Sequence, residues 1–394
     1  MNAHTAGEPG PELVDALVDE LLAQAPPSLV DRRVFWGAQF DLGLAWVNFP
    51  LGCGGLGIDP RHQRLVDERL EGAGAPSNYA TNILGVGMAA PTIVDHGTVA
   101  QQQRWLRPLF TCDEIWCQLF SEPGAGSDLA SVRATATRDG DEWVVNGQKV
   151  WTTLGHRARW GLLLARTDAA EERHRGLTYF VCDMRQPGVE VRPLRQLTGD
   201  AEFNEVFLTD ARVSDDDRIG AVGDGWAVAM TTLMHERVSI GGGVQSRGTG
   251  PISEAVETYD RYGRPSAMRQ RLLQLWVATE AARLTNLRAL RLRERGTPGP
   301  EGSVAKLLFA ELAQRVYDFT LDLMGADGML FDQGYAMTSP EESVMIGGEA
   351  RYMFLRSRGN SIEGGTSEIM RNILGERVLG LPKEPSGSNK SAGS

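Results

Sequence analysis

A change of hydrophobic periodicity along the chain limits its possible folds more than any other feature of the sequence. Apolar residues follow helical spacing near the start, for example at Leu13, Leu17 and Leu21, and this spacing returns after Gly225. Between these regions lie short β-type runs separated by turn dipeptides such as Asn146-Gly147. The runs are 142–146, 161–166, 177–182, 189–193 and 202–208. Because no amphipathic helices lie between them, the sequence predicts an antiparallel sheet or barrel within an α+β fold.

This order of elements predicts three domains and a tail. A chain of 394 residues is too long for one ordinary hydrophobic core. We expect an N-terminal helical domain over 1–115, a middle β-barrel domain over 116–225, a C-terminal helical bundle over 226–382 and a disordered tail over 383–394. The predicted helices are 12–25, 61–72, 78–96, 99–110, 226–240, 252–262, 269–295, 303–323, 349–357 and 367–379.

The composition argues against several classes of partner and site. The net charge is -11 at pH 7, and an acidic surface repels both nucleic acids and anionic membranes. No run approaches the roughly eighteen apolar residues that span a bilayer, and Met1–Pro11 lack the pattern of an export signal. The cysteines lack the spacing of a zinc site or a disulfide framework. We therefore expect no nucleic-acid or membrane partner, no metal, and a cytoplasmic location.

A Gly-rich segment between the first helices and the β runs is the first candidate site. Gln118–Asp128 has the sequence QLFSEPGAGSD, with a glycine on each side of Ala125. Glycine allows close backbone approach to a ligand, and exposed amides together with the Ser127 hydroxyl can bond phosphate oxygens or a flavin edge. Taken alone, the pattern is equally compatible with a surface turn, because it is not the G-x-G-x-x-G of dinucleotide folds.

Three ordered motifs resemble those of the acyl-CoA dehydrogenase family. SEPGAGSD at 121–128 is similar to the family signature TEPxAGSD, and NGQKVWTT at 146–153 is similar to its NGxKxWxT segment. IEGGTSEIMRNI at 362–373 resembles the second signature, and ERVLGLP at 376–382 resembles a frequent family ending. The resemblance covers nearly the whole chain. It implies the acyl-CoA dehydrogenase fold with a C-terminal four-helix bundle, FAD as cofactor, and α,β-dehydrogenation of an acyl thioester.

The resemblance assigns cofactor contacts residue by residue. The positions that match contacts to the flavin pyrimidine edge are Gln118, Leu119, Phe120 and Ser121. Trp151 would pack against the isoalloxazine; the alternative is that it is a core aromatic. Thr152 follows it, and the Thr153 hydroxyl would approach flavin N5; the alternative is that Thr153 is an ordinary strand residue. Ser127, beside Gly126, would lie near the FAD pyrophosphate and the substrate. The positions that match the adenosine diphosphate half are Thr366, Ser367 and Glu368.

The implied reaction needs a carboxylate base, because an α proton is removed while hydride leaves the β carbon. In one group of the family this Glu directly precedes the Gly-Thr pair of the C-terminal signature, where this chain has Gly364. In the other group it belongs to a Glu-Arg pair on the helix that opens the bundle, which here is Glu236-Arg237. We assign Glu236 as the base and place Arg237 near the substrate. A structural ion pair for Glu236, and Glu363 as the rival base, are the open alternatives.

Two positions depart from the family pattern. Tyr259 replaces an Arg that in most relatives reaches the FAD of a neighbouring subunit, and Asp322 begins a run that replaces one containing Gln. The chain resembles a bacterial subgroup in which mixed tetramers occur, so we expect a homo-oligomer, such as a homotetramer, or a mixed tetramer. The resemblance implies an acyl-CoA or acyl-carrier thioester as substrate and an electron-transfer flavoprotein as acceptor. A non-catalytic subunit that contributes FAD contacts, and an oxidase or monooxygenase, are alternative functions.

Overall fold

The computed structural model describes residues 10–171, 173–241, 246–294, 300–331, 337–343 and 348–383, with backbone alone at 237–241 and 293–294. These residues form two compact units. The first extends to Ser239 and includes the segment 332–344, of which 337–343 are described. The second contains Ile240–Phe331 and the residues from Met345 onward. The predicted tail, apart from Lys383, lies outside the described residues.

From residue 10 onward, five α-helices precede the sheet. They are α1 (Pro11–Gln24), α2 (Arg32–Asp41), α3 (Gln63–Gly72), α4 (Ala90–His96) and α5 (Val99–Phe110). The Asp31 carboxylate caps α2 by accepting from the Arg33 amide at 2.8 Å. Thr98 and Gln101 form a reciprocal capping box at the start of α5, where each side chain accepts from the other residue's backbone amide. These caps explain where the two helices begin.

Two of these helices differ from the sequence prediction. Helix α2 is not predicted, because its buried residues Phe35, Trp36 and Gly37 are consecutive and hide the helical period. The helix predicted over 78–96 begins only with a π-helical turn at Gly85–Ala89. The preceding residues include Asn78 and Asn82, whose side-chain amides donate to the carbonyls of Phe110 and Leu109. Such side-chain bonds stabilise loops at the expense of helix.

Eight strands form one sheet. They are β1 (Trp116–Leu119), β2 (Thr135–Asp139), β3 (Glu142–Thr153), β4 (Trp160–Arg166), β5 (Leu177–Asp183), β6 (Val189–Pro193), β7 (Phe203–Ser214) and β8 (Arg218–Ile219). The hydrogen-bonded order is β6-β7-β3-β2-β4-β5-β8, and β1 pairs with β4. The five predicted runs correspond to β3–β7, whereas β1, β2 and β8 are not predicted. Strands β1 and β8 are short, so they carry little periodic signal.

The expectation of an antiparallel sheet is wrong for β1. This strand is parallel to β4, with Trp116 opposite Trp160 and Leu119 opposite Leu163. Strand β2 also meets β4 in parallel at a single residue pair, and the remaining strand pairs in the described residues are antiparallel. Turn dipeptides identify hairpins between neighbouring strands. A longer connection follows β1, so no local signal specifies its partner.

Strands β4 and β5 are buried on both faces. Leu162 and Leu164 pack in a core that includes Trp105 of α5, whereas Leu163 packs with Phe180 in a second core. Alternate side chains of a strand point to opposite faces, so each core receives every second residue. The second core draws on strands β1 to β7, as expected for a barrel-like sheet. The hydrogen-bonded order nevertheless runs open from β6 to β8.

Helices return after the sheet. They are α6 (Gly225–Gly241), α7 (Pro251–Arg261), α8 (Ser266–Glu294), α9 (Glu301–Met324), α10 (Ala350–Arg356) and α11 (Ser367–Asn372). Helix α6 belongs to the first unit as far as Ser239, and α7–α11 lie in the second unit. Ile252, Leu275 and Phe319 share the core formed by α7, α8 and α9. The α+β class and the order of helices, sheet and helices are confirmed. No helix in the described part of the chain has the length and low polarity needed to cross a bilayer.

Glu254 on α7 is a half-buried carboxylate in the second unit. Burial raises the pKa of Glu254 to about 7, helped by the negative charges of Glu349 and Glu257, while the Ala350 amide and Arg261 oppose the rise. In the unfolded chain the same carboxyl titrates in its ordinary range, near 4.5. The folded state therefore holds a proton that the unfolded state has already lost between these two values.

Stability is accordingly expected to fall as the pH rises from about 4.5 to about 7 and then to level off. Glu254→Gln should remove up to about 1 kcal/mol of this loss, after discounting for solvent at a half-buried site. Urea unfolding at a series of pH values would measure the slope, with Glu71→Gln, at an exposed glutamate near the end of α3, as the control that keeps it. An unchanged slope in Glu254→Gln would contradict the assignment.

Candidate active site

A β-bulge near the end of β3 exposes a large aromatic side chain. The register of β3 against β7 shifts between Lys149 and Thr152, and Trp151 in between has a φ of 63°. Its side chain is 61% exposed and meets Phe203 edge-on, with ring centroids 6.1 Å apart. Positive φ is costly for a bulky residue, and such strain concentrates at ligand sites. Trp151 is therefore not the core aromatic that the alternative interpretation required.

The segment after β1 lies beside this bulge. Leu119 and Phe120 are buried, whereas Gln118 is half-buried. The Ser121 carbonyl accepts from the Val150 amide at 2.9 Å, which joins the two segments immediately before the exposed tryptophan. The structure thus brings together Gln118–Ser121 and the end of β3, two of the groups proposed from the sequence to contact the cofactor.

A fully buried lysine connects the same two segments. The Lys149 ammonium donates to the Phe120 carbonyl at 3.0 Å, to the Leu164 carbonyl at 2.8 Å and to Glu122 Oε1 at 2.8 Å. Burial lowers the pKa of Lys149, and the nearby Glu122 carboxylate opposes this effect. Three acceptors match the three N–H donors of an ammonium, so the buried charge is fully hydrogen-bonded.

Glu122 completes this arrangement. Its carboxylate is buried and accepts from the amides of Arg133 at 2.7 Å and Ala134 at 2.9 Å, in addition to Lys149. The pair therefore fixes the chain from Phe120 to Glu122 against both β3 and the start of β2. A buried ion pair with all its hydrogen bonds made costs little folding free energy. Removal of one partner is strongly destabilising, because it leaves the other charge buried without compensation.

The glycine-rich loop is open to solvent. Glu122 and Ala125 exchange two backbone hydrogen bonds of 3.0 Å, which form a tight turn. Gly126 and Ser127, which follow this turn, are exposed. A Cβ added at Gly124 or Gly126 would meet no other atom within 4 Å. Packing within the chain therefore does not require glycine here, whereas close approach by a bound group would.

Three buried polar atoms near the bulge have no hydrogen-bond partner in the described structure. They are Gln118 Nε2, Thr152 Oγ1 and Asn204 Oδ1. The Asn204 amide also donates to the Thr152 carbonyl at 3.0 Å, and the half-buried Thr153 pairs with β7. Buried polar groups without partners are costly and need an explanation. Together with the exposed Trp151, they fit a cofactor that brings a flat ring and its own donors and acceptors, as a flavin does.

Glu236 lies on α6 in the first unit. Thr232, one helical turn earlier, is fully buried, and Leu233 packs against the first core. Glu236 is half-buried, and Met234 is 55% exposed. Residues four apart share a helix face, so Glu236 continues the buried face by one turn. Arg237, the predicted substrate contact, is among the residues for which only the backbone is described.

The rival base, Glu363, is engaged in the second unit. Arg356 donates to Glu363 Oε2 at 3.1 Å and to Oε1 at 3.4 Å, and this Arg is 4% exposed. Both carboxylate oxygens of Glu363 are thus held by one guanidinium group. The following Gly364 and Gly365 have φ values of 66° and 98°, so a glutamate at position 364 would be strained.

The C-terminal signature forms a turn and a helix start in the second unit. Thr366 caps α11 by accepting from the Ile369 amide at 3.2 Å. Ser367 Oγ is buried without a partner in the described structure, whereas Glu368 is exposed. The fully buried Lys306 donates to the Gly365 carbonyl and holds this turn. The predicted ligands of the adenosine diphosphate half thus share one short segment.

The two departures from the family pattern have structural roles. Tyr259 is buried and packs with Ile252 in the core of the second unit. Asp322 forms an ion pair with Arg271 across α9 and α8.

The sequence motifs predict the segments of the candidate site but not the contacts that support them. The Glu122–Lys149 pair and Asn204 were not predicted. Lys149 carried a signal, because lysine occurs only at four positions and this one lies within the NGxKxWxT segment. Its burial could not be inferred, since Glu122 and Lys149 are 27 residues apart in sequence. Asn204 carried no signal.

Removal of Lys149 should therefore destabilise the two segments that are predicted to contact the cofactor, Gln118–Ser121 and the end of β3. Lys149→Met leaves Glu122 as an uncompensated buried charge, which we expect to cost about 3–5 kcal/mol of unfolding free energy and to weaken flavin retention. Chemical denaturation and the flavin content of the purified protein would measure both effects. The control is Glu122→Gln/Lys149→Met, in which no charge is buried, and it should recover part of the stability. Equal losses in the two variants would show that the charge is not what matters.

Comparisons with known proteins agree with this geometry. Residues 14–113, 117–211 and 223–379 match the families described as Acyl-CoA dehydrogenase, N-terminal domain, middle domain and C-terminal domain, respectively. The chain is 41% identical over 359 residues to Acyl-CoA dehydrogenase IpdE1 of Mycobacterium tuberculosis, covering 91% of this chain and 90% of that protein.

Solved structures show the same fold. Acyl-CoA dehydrogenase from Geobacillus kaustophilus aligns with a TM-score of 0.72 at 25% identity, over 96% of this chain and 100% of that one. The ChsE4-ChsE5 complex from Mycobacterium tuberculosis gives a TM-score of 0.70 at 26% identity, over 97% of this chain and 100% of that one. This protein therefore belongs to the acyl-CoA dehydrogenase family of FAD-dependent oxidoreductases.

Proposed function

We propose that this enzyme introduces a trans double bond between the α and β carbons of an acyl-CoA thioester, with the electrons passed on to an electron-transfer flavoprotein. The observation that carries the proposal is the exposed Trp151, held at positive φ by a bulge beside buried polar atoms without partners. An aromatic surface of this kind suits the ring system of the family's cofactor. FAD, when bound, supplies the acceptor for the hydride that leaves the β carbon.

Glu236 is the residue that we propose removes the α proton. It is half-buried on α6, close to Leu233, which packs against the first core, and partial burial is a setting in which a carboxylate can act as a base. Its rival, Glu363, is held by Arg356 through both carboxylate oxygens. We propose that Arg237 contacts the substrate and that Ser127 contacts both substrate and cofactor. These assignments separate the catalytic carboxylate from the structural one.

We propose that the chain's own residues orient the flavin. In this proposal Gln118, Leu119, Phe120 and Ser121 contact the pyrimidine edge, Trp151 and Thr152 contact the ring, and Thr153 lies near N5. Gly126 allows close approach at the pyrophosphate, and Thr366, Ser367 and Glu368 bind the adenosine diphosphate half. The Lys149–Glu122 pair supports this proposal, because it fixes two of these segments in a rigid arrangement before any ligand arrives.

We further propose that the enzyme is cytoplasmic and works as an oligomer, either with copies of itself or with a second chain. Tyr259 packs in a core and Asp322 pairs with Arg271, at the two positions where the family pattern has other residues, which supports a mixed assembly in which a second chain supplies the missing FAD contacts. The similarity to the ChsE4-ChsE5 complex supports a mixed assembly. A carrier-protein thioester is the alternative substrate.

The visible spectrum of the purified protein, followed during anaerobic titration with a panel of acyl-CoAs, tests the activity. We expect bleaching by one structural class of acyl-CoA and slow recovery of colour in air. A 2,2-dimethylacyl-CoA, which has no α proton, is the control that should bind without bleaching. Rapid recovery in air would favour an oxidase or monooxygenase. Protein that lacks flavin until a second chain is added would favour a contributing subunit.

The identity of the base is tested by two matched substitutions. Glu236→Gln should keep the yellow colour but reduce the rate of bleaching by about 10²–10⁴-fold, the usual contribution of a general base. Glu363→Gln should still bleach at close to the unmodified rate, because its pair with Arg356 serves the fold. Stopped-flow absorbance under anaerobic conditions measures both rates, and the reverse pattern would overturn the assignment.

A further inference from the structure

Three buried hydroxyl groups join α6 to two other elements of the first unit. The Tyr179 hydroxyl on β5 lies 2.9 Å from Thr232 Oγ1 on α6, and Thr232 Oγ1 lies 3.0 Å from Thr92 Oγ1 on α4. All three residues are fully buried. A polar chain in an apolar core is costly unless every member is bonded, and here each member is.

Each hydroxyl has a single proton to donate, and this fixes the direction of the hydrogen bond between Tyr179 and Thr232. Thr92 Oγ1 also lies 2.8 Å from the Met88 carbonyl, and Thr232 Oγ1 lies 3.1 Å from the Val228 carbonyl. The Tyr179 hydroxyl contacts Thr232 Oγ1, and its single proton is used only if Tyr179 donates this hydrogen bond to Thr232. Whichever way the two threonine protons point, Thr232 accepts from Tyr179. The position of Thr232 is thus fixed from the sheet side.

Two further contacts connect α4 and α6 on neighbouring turns. His96 Nε2 lies 2.8 Å from Thr231 Oγ1, and His235 Nε2 lies 3.4 Å from Asp95 Oδ2. The latter contact is solvent-exposed and therefore weak. The buried hydroxyls are the part of the connection that water cannot replace.

Apolar packing and the hydroxyl contacts together define the orientation of α6. Leu233 packs against the core, yet the adjacent Met234 is 55% exposed, so apolar side chains occupy more than one face. Val228 and Ala229 are also buried in that core, so a rotation about the helix axis would disturb their packing and would break the directional contacts of Thr232. Glu236 lies four residues after Thr232, on the same face, so the orientation of one determines that of the other.

We propose that Tyr179, Thr232 and Thr92 are positioning residues that fix the rotation of α6 and thereby aim the Glu236 carboxylate at the substrate. This inference rests on the proposed function of Glu236. The hydroxyls do not touch substrate or cofactor, and they act only through the helix. Their loss should therefore lower the rate of the chemical step and leave substrate binding unchanged.

Isosteric substitutions of the holoenzyme test the proposal. Thr232→Val and Tyr179→Phe should each lower the rate of flavin reduction at saturating acyl-CoA by about tenfold to a hundredfold, with KM and flavin content unchanged. The double variant should be no slower than Thr232→Val, because the two hydroxyls act as one unit. Thr232→Ser, which keeps the hydroxyl, should restore most of the rate.

A matched control separates positioning from stability. Thr320 on α9 is also fully buried, and its hydroxyl donates to the Val316 carbonyl of its own helix at 2.9 Å. Thr320→Val should shift the unfolding temperature by a similar amount and leave the reduction rate unchanged. An equal loss of rate in Thr320→Val, or a change confined to KM, would overturn the proposal.

Hydrogen exchange provides a readout that does not depend on activity. Thr232→Val should speed the exchange of α6 amides over positions 232–241 in the holoenzyme, and Thr320→Val should not. Unchanged amide exchange in α6 would show that the hydroxyls do not hold this helix. If Glu236→Gln keeps its activity while amide exchange in α6 still rises in Thr232→Val, the proposed function of Glu236 is wrong. The hydroxyls would nevertheless hold α6 in place. The two failures are therefore distinguishable.

Discussion

The contact between Lys149 and Glu122 joins the two chain segments from which the candidate site is built. One partner follows β1 and the other lies on β3, and the buried ammonium also holds the carbonyls of Phe120 and Leu164. Since all three N–H donors are used, rotation or sliding of either segment would leave a buried charge unsatisfied. The bulge that exposes Trp151 begins immediately after this lysine. The strained tryptophan thus follows directly after a segment that the Lys149–Glu122 pair holds in place.

A comparable arrangement recurs where α6 meets the sheet. In both places polar groups within an apolar core select one geometry from several that apolar packing would accept, at some cost in stability. Strain at Trp151 and the unsatisfied buried atoms near it are costs of the same kind. Proteins commonly break local rules at functional sites and compensate for them elsewhere. Here the compensation comes from extensive burial in two cores of the first unit.

Much of the architecture followed from periodicity, and the exceptions have local causes. Long strands such as β3 and helices such as α9 were predicted because many residues repeat the same pattern. Helix α2 was missed because consecutive aromatic residues mask its period, and the direction of β1 was missed because its partner is remote in sequence. The segments of the candidate site were proposed only through their resemblance to family motifs. The Lys149–Glu122 pair and the hydroxyl chain depend on tertiary contacts that no local pattern encodes.

The burial of β4 and β5 on both faces has a consequence for how the protein can be divided. Leu162 and Leu164 of β4 and Tyr179 of β5 share a core with α5, so the helices before the sheet are part of its hydrophobic interior. A fragment that began at β1 would present that apolar face to water and would be prone to aggregate. Excision at the sequence boundary near residue 115 would therefore not yield an autonomous flavin-binding module.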